Sequence, residues 1–508
     1  MIHVKETQLI YQQLGRLRLR ESKESSRTTA MVFIGGEAWA IAYLAAEWSI
    51  RLVMIVVVPL RRSPEASRSW LLLVFFLPIP ALVIYLLIGR PSYPRWRRQR
   101  FVRLPAILAA ASREIAHSRF CRRPDLPATL AGPALLIEKL GQFPALAGND
   151  VKLLSDYDDV IDRIVADIDQ AQQTVHLLFY IFADDETGRR VIDALDRAAR
   201  RGVKCRVLID AIGSRQWALG VSKLLAPAGV EVRLALRVGV FRRRSARADL
   251  RNHRKIAIID SLVGYVGSQN ITNAVSRRNI ANEELVAQVV GPITTELQAV
   301  FIADWFMETD EELAMPALFP HHHPDAGVVA QVLPSGPDYP DAGIGHLMAA
   351  LVHGARERVV VTTPYFVPDE AFLQALKTAV LRGVEVHLVV SYLTDHVLVK
   401  FAQRSYYSEL LLAGIHVHLY KGGFLHAKHV TFDDEIALLG SSNVDIRSFV
   451  LNAEISFVAF DRGVTAQLQR EQIRCFGASE TLTFDAWEKR MIAHKICENL
   501  ARLAGPLL

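Results

Sequence analysis

Two stretches of this 508-residue sequence carry the same reactive side chains at the same spacing. His253, Lys255 and Asp260 form the pattern HxKxxxxD, followed shortly by Gly267, Ser268, Gln269 and Asn270. His426, Lys428 and Asp433 repeat the pattern, and Gly440, Ser441, Ser442 and Asn443 follow at the same distance. One such match is compatible with chance; a second with every spacing preserved is not. On a β-strand, residues i and i+2 face one side, so the imidazole and the ammonium of each copy point together into a cleft. Glycine permits a close approach of backbone to a bound group, and the asparagine amides add donors. Two half-sites facing each other would therefore gather two imidazoles, two ammonium groups and two amides around one point. A phosphate suits that arrangement. The lysines and amides, with Ser268, Asn270, Ser441 and Asn443 as substrate contacts, neutralise the phosphoryl oxygens. One imidazole attacks phosphorus and the other protonates the departing alkoxide. Lysine does the work of a cation, so neither a metal nor a cofactor is expected. Asp260 and Asp433 lie five residues past their lysines; their expected place is outside the cleft, holding a turn.

The elements that must position these residues read as α/β. The helix expected over Asp158 to Gln172 puts Val160, Ile161, Ile164, Val165 and Ile168 on one face, and Val175 to Phe182 follows as a buried strand. The unit then recurs. Arg189 to Arg201 is helical, with a strand from Val203 to Ile209 behind the turn at Gly202. Later Glu370 to Leu381 is helical, with a strand from Val384 to Val390 behind Gly383. Residues 150–306 and 327–508 are thus expected as two tandem domains of one design, the second with a C-terminal helical tail, joined by a linker over 307–326. His321, His322 and His323 fall in that linker beside prolines and read as loop residues. By the same repeat logic Glu284, in Asn282-Glu283-Glu284, matches Glu454, in Asn452-Ala453-Glu454, each heading an apolar strand. These two carboxylates are the candidates for orienting the motif histidines through the ring nitrogen not used in chemistry.

At 51% hydrophobic residues the chain is no disordered tail, and its four scattered cysteines show neither a disulfide framework nor a zinc spacing. Net charge is +6, which favours an anionic partner without telling nucleic acid from lipid. The apolar runs decide. Met31 to Leu60 is long enough to span a membrane, with Glu47 and Arg51 spaced to pair on one helix face. Trp70 to Ile88 carries no charge, and Pro78 and Pro80 argue for a kink. Basic flanks on both outer sides favour a transmembrane hairpin over residues 31–100 with both ends in the cytoplasm. Residues 1–30 form a polar N-terminal segment, Met31 is a second admissible start, and 101–149 is a connecting segment.

Paired HxKxxxxD motifs with GSxN tails resemble the phospholipase D superfamily. Two spans ahead of them resemble bacterial cardiolipin synthases in particular. Further stretches agree, among them Arg251-Asn252-His253-Arg254-Lys255, Thr363-Pro364-Tyr365-Phe366, Asn443-Val444-Asp445-Ile446-Arg447-Ser448-Phe449 and the closing Asn499-Leu500-Ala501-Arg502-Leu503. One departure is Gly267-Ser268-Gln269-Asn270, where synthases often carry Gly-Gly-Leu-Asn. The resemblance implies two phospholipase D-like α/β/α domains with the active site between them. It also implies a multi-pass enzyme of the cytoplasmic membrane that makes cardiolipin and glycerol from two phosphatidylglycerol molecules, with His253 as nucleophile and His426 as acid, then base. Its partners would be phosphatidylglycerol and anionic lipids, not nucleic acid. A phospholipase D hydrolase, or a transferase using another donor such as phosphatidylethanolamine, stays open, because the sequence does not show whether water or a lipid hydroxyl reaches the intermediate. The arginine-rich stretch from Arg237 to Arg254 has no counterpart in the second copy. It reads either as a recruiter of anionic headgroups or as a solvated loop.

Overall fold

Repeated helix and strand units sort their apolar side chains to two faces of each strand, and one mixed sheet with helices on both faces results. The computed structural model describes residues 39–62, 64–89, 95–237, 249–275, 279–314, 327–339 and 343–503. In the first half the sheet strands are β1 (Leu146–Leu154), β2 (Thr174–Phe179), β3 (Lys204–Asp210), β4 (Glu231–Ala235), β5 (Ile256–Ile259), β6 (Val263–Gly267) and β7 (Val286–Val290). The second half repeats them as β8 (Val328–Ser335), β9 (Arg358–Thr363), β10 (Glu385–Ser391), β11 (His416–Tyr420), β12 (His429–Phe432), β13 (Ile436–Gly440) and β14 (Asn452–Ala459). From one edge the order is β4-β3-β2-β5-β6-β7-β1, then β8-β14-β13-β12-β9-β10-β11, with a short β15 (Ser479–Thr481) beyond. Read outward from the β1/β8 seam, where Leu146 faces Ala330, the two halves have the same order. Strands β2 to β4 pair in parallel, and the β5/β6 hairpin lies antiparallel beside them.

Alternation along β2 shows how the layers form. Val175, Leu177 and Phe179 pack with Val160, Ile161, Ile164 and Ile168 of helix Tyr157–Gln170 and with Val191 and Leu195 of helix Glu186–Arg200. Leu178 turns the other way, to Phe301 and Trp305 of helix Thr294–Thr309, which is buried on every face. In β9, Val359 and Val361 join Leu373 and Leu376 of helix Glu370–Leu381, while Val360 joins Val464 and Leu468 of helix Arg462–Gly477. The core on this last face runs through both halves. Helix starts are set by Asp185 and Asp369, whose carboxylates accept the backbone N–H of Gly188 and Phe372, each at 2.9 Å. Gly202 and Gly383 end the same helices at φ +92° and +88°, a conformation that glycine adopts without a Cβ penalty.

Some expectations shift. The strand read as Val175 to Phe182 ends at Phe179, because Tyr180 turns away from the ladder toward the cavity described below. Helix Thr294–Thr309 runs into the segment read as linker. The connecting segment 101–149 is largely part of the body: helix Arg95–Ala116 places Leu104, Leu108 and Ile115 in the shared core, and helix Ala128–Gly141 places Leu130 and Ile137 in the core of the second half, with Val359 and Leu373. The polar segment 1–30 with Met31, most of the arginine-rich loop (238–248) and His321, His322 and His323 lie outside the described residues.

The chain divides into two units, Met1–Pro91 and Ser92–Leu508, and the first is described from Trp39 onward. Its helix Trp39–Val57 is long and apolar enough to cross a membrane by length and composition, and most of its side chains are exposed. Arg51 pairs with Glu47 at 3.2 Å, as the spacing implies. The second apolar run is broken as its prolines require, into helix Pro64–Phe76 and helix Pro78–Ile84, with Leu77 between them out of helical conformation.

Arg97 ties the first helix of the main unit to the body. It is 3% exposed, and its guanidinium reaches Glu308 at 2.7 Å and Asp338 at 2.5 Å. Removing one partner of a buried ion pair costs about 3–5 kcal/mol, because the other charge stays buried and uncompensated. Arg97→Ala is therefore expected to lower the unfolding free energy of the main unit, measured by chemical denaturation, by that amount, and an unchanged value would mean that water already reaches both carboxylates.

Candidate active site

Each motif histidine is carried past the end of a short segment that pairs with the opposite half. Arg251 and Asn252 run parallel to Asn452 and Ala453, so the next residues in register are His253 and Glu454. Phe424 and Leu425 run parallel to Asn282 and Glu283, which sets His426 against Glu284. The contacts follow. His253 Nδ1 lies 3.0 Å from both carboxylate oxygens of Glu454, and His426 Nδ1 lies 2.7 Å from Glu284 Oε1. The two carboxylates picked out by the repeat thus meet the motif histidines, but the pairing is crossed: each half supplies the acid for the other half's imidazole.

The glycines and serines of the GSxN tails act behind these pairs. A Cβ on Gly267 would sit 2.3 Å from the carbonyl oxygen of Leu285, and one on Gly440 would sit 2.2 Å from that of Ile455. The close approach that glycine permits is therefore to the strand bearing the carboxylate. Ser268 and Ser441, expected as substrate contacts, are fully buried. Ser441 Oγ donates to Glu454 Oε2 at 2.5 Å, and Ser268 Oγ bonds the backbone of Leu285, beside Glu284. Asn270 and Asn443 do face the cavity. Asp260 and Asp433 are not in its wall. Asp260 accepts the backbone N–H groups of Gln172, Gln173 and Thr174, and Asp433 those of Arg356, Glu357 and Arg358, so each clamps the chain just ahead of β2 or β9.

Burial decides the protonation of the cluster. It pushes His253 down to about 4, with the Lys255 and Lys428 charges adding to the effect and Glu454 opposing it; His426 is lowered in the same way against Glu284. Burial alone would raise both carboxyls, but the imidazoles and lysines they face hold them below the usual range. The His253 ring thus donates Nδ1–H to an ionised carboxylate and keeps an unprotonated Nε2. Lys255 is brought down to about 7 and Lys428 to about 8, chiefly by burial, with Glu284 and Glu454 opposing it at both and the Lys428 charge adding to it at Lys255. Each ammonium donates to the carbonyl of its own motif histidine and has N–H groups left for an anion.

Both imidazoles open on one cavity of about 690 Å³, walled also by Tyr180, Arg251, Tyr365, Asp395, Arg447 and Asn452. Tyr180 packs edge-on against His253, its centroid 4.8 Å away, and lies under the Lys255 ammonium. Behind His253, fully buried Arg254 binds Asp304 at 2.5 Å, the Glu454 carbonyl at 2.9 Å and the Ser335 carbonyl at 3.0 Å, and Asn252 Nδ2 reaches Asp304 at 2.9 Å. Sequence reading missed Tyr180 and Asp304. The arginine and asparagine flanking His253 were the only signal for such a strap.

The family model described as "Cardiolipin synthase, PLD-like domain" matches residues 164–305 and 348–475, one segment in each half. Cardiolipin synthase A of Yersinia pseudotuberculosis serotype O:1b (strain IP 31758) is 34% identical over 460 residues, covering 88% of this chain and 94% of that protein. Cardiolipin synthase A of Yersinia pestis matches to the same extent. The crystal structure of phosphatidylserine synthase from Haemophilus influenzae Rd KW20 aligns with a TM-score of 0.55 at 14% identity, over 74% of this chain and 100% of that one, and so shares the fold. With both halves matched and the likeness running over most of its length, the chain belongs to the cardiolipin synthase family of phospholipase D-like proteins.

Proposed function

We propose that this chain is a membrane-anchored phosphatidyltransferase, making cardiolipin and glycerol from two phosphatidylglycerol molecules through a phosphatidyl-histidine intermediate. The observation that carries the reading is the pair of crossed histidine–carboxylate contacts opening on one cavity. His426 takes up a proton on Nε2 when the anionic donor binds; His253 Nε2 then attacks the donor phosphorus, the bond to the glycerol oxygen breaks, and His426 gives that proton to the oxygen. The second phosphatidylglycerol then offers a hydroxyl, which gives its proton to His426 and displaces His253. Lys255, Lys428, Asn270 and Asn443 offset the phosphoryl charge. The contacts favour His253 as nucleophile: its partner Glu454 meets it with both oxygens and is itself bonded by Ser441 and Asn452, whereas Glu284 meets His426 through Oε1. Expression in cells that lack cardiolipin, followed by lipid extraction, tests the reading. Cardiolipin should appear; phosphatidic acid without cardiolipin would replace the synthase with a hydrolase.

The lysines set a pH dependence. As pH rises through about 7 to 8, Lys255 and Lys428 lose the charge that offsets phosphate. Because kcat/KM reports the free enzyme, it should decline over that range. A bound phosphodiester anion raises both lysine pKa values, so kcat should hold to higher pH. A kcat/KM that stays flat from about pH 6 to about pH 9 contradicts the role given to the ammonium groups.

Anchoring in the cytoplasmic membrane, with the catalytic body on the cytoplasmic side, rests on the Met1–Pro91 unit. A chain beginning at Ser92 is expected to bind anionic vesicles by charge alone and to leave them at about 1 M salt, where the screening length is ~3 Å. Retention in a flotation assay would place an anchor elsewhere, first in helix Ile492–Leu503, whose Ile492, Ile496 and Leu500 are exposed.

A further inference from the structure

The two motif histidines are held in unlike ways. Asn252 and Arg254 flank His253, whereas Leu425 and Ala427 flank His426. Arg254 is fully buried and ties three elements together. Its Nη1 donates to Asp304 of helix Thr294–Thr309 at 2.5 Å, its Nε to the Glu454 carbonyl at 2.9 Å and its Nη2 to the Ser335 carbonyl of β8 at 3.0 Å. Asp304, 6% exposed, also accepts from Asn252 Nδ2 at 2.9 Å. The residues on both sides of His253 thus end on one carboxylate, 50 positions beyond Arg254. The same guanidinium holds the backbone of Glu454, whose carboxylate meets His253 Nδ1.

The surroundings of His426 differ in kind. Leu425 and Ala427 have no side-chain donor or acceptor. The backbone N–H of His426 donates to the Glu283 carbonyl at 2.8 Å, and the Glu283 carboxylate pairs with Arg474 at 3.0 Å, but that arginine is half-exposed. An ion pair open to water constrains its neighbours weakly. Chemistry gives the difference a use. A nucleophile must meet phosphorus in line with the bond that breaks, and a displacement of about 1 Å from that line slows attack about a hundredfold. A general acid needs only hydrogen-bond reach of its oxygen, directly or through one water.

We infer that Asp304 is a positioning residue: through Arg254 and Asn252 it fixes the line along which His253 Nε2 approaches phosphorus, and this one-sided strap gives two symmetric motifs their different roles. The inference rests on the phosphatidyl-histidine reading and names what makes the two histidines unequal. In the step it serves, the Nε2 lone pair forms the bond to phosphorus while the bond to the leaving oxygen breaks with its electron pair.

The test uses the full chain in vesicles with a radiolabelled lipid whose leaving group needs little protonation, so that the rate of labelling reads the attack of His253 alone. Removing only Asp304 would strand a buried guanidinium and endanger the fold, so the pair is replaced as a unit, Arg254→Met with Asp304→Leu, an exchange that is often neutral for stability. Labelling should slow about tenfold to a hundredfold, with the half-saturating lipid concentration unchanged. Arg254→Lys keeps a charge beside Asp304 but not the fork that reaches three acceptors, and it should slow labelling as well. A strap with a merely structural role would lower the fraction of protein that takes label and leave the rate constant of labelling as it was. An unaltered rate constant in the double variant therefore overturns the inference; if that protein does not fold, an unaltered rate constant in Arg254→Lys does so. No label on the unsubstituted chain refutes the phosphatidyl-histidine reading instead.

Discussion

The His253→Ala protein should take up no label from a radiolabelled lipid whose leaving group needs little protonation, while His426→Ala should become labelled and stay so. Only the nucleophile forms a bond to phosphorus, so its loss removes the covalent step. Loss of the acid slows the departure of an ordinary alkoxide by ~10² to 10⁴ and matters little for a good leaving group. With natural lipid both variants should therefore be nearly inactive, and the activated lipid separates them. The second half-reaction needs His426 to take the acceptor's proton, so the intermediate should accumulate in His426→Ala. Protein isolated under denaturing conditions and counted for label gives the answer. Label on His253→Ala and none on His426→Ala would reverse the roles.

Glu454→Gln should impair the same step as His253→Ala although the two residues lie in different halves of the chain. The Glu454 carboxylate accepts from His253 Nδ1 and keeps the Nε2 lone pair on the cavity. An amide there can donate to Nδ1 instead, which moves the ring proton to Nε2 and removes the lone pair. A carboxylate-to-amide change that inverts an imidazole tautomer costs on the order of 10³ to 10⁴ in kcat with geometry intact. Labelling by the activated lipid should be correspondingly slow in Glu454→Gln and nearly normal in Glu284→Gln, whose partner is His426. Had each acid served the histidine of its own half, the two results would be exchanged. Combining His253→Ala with Glu454→Gln should cost little beyond His253→Ala alone, because residues acting as a unit are not additive.

Much of this protein was legible in its residues because the signals were local. Helix Glu370–Leu381 stands where its periodicity puts it, and the turns at Gly202 and Gly383 follow from glycine's freedom at positive φ. The repeated HxKxxxxD and GSxN spacing brought His253, His426, Asn270 and Asn443 to one cavity wall, and it singled out Glu284 and Glu454 by position alone. These features depend on neighbours a few residues apart, or on the comparison of one copy with the other. What pairs across the seam between the halves does not. No spacing says that Glu454 faces His253 instead of His426: that follows from the parallel pairing of Arg251 and Asn252 with Asn452 and Ala453, about two hundred residues away. Nor does the sequence say that Ser268 and Ser441 turn inward behind the carboxylates, or that Arg254 and Asp304 close a buried strap. Those outcomes were decided by how the two halves of one sheet meet at their seam, since a buried charge must find its partner wherever the fold brings one within reach.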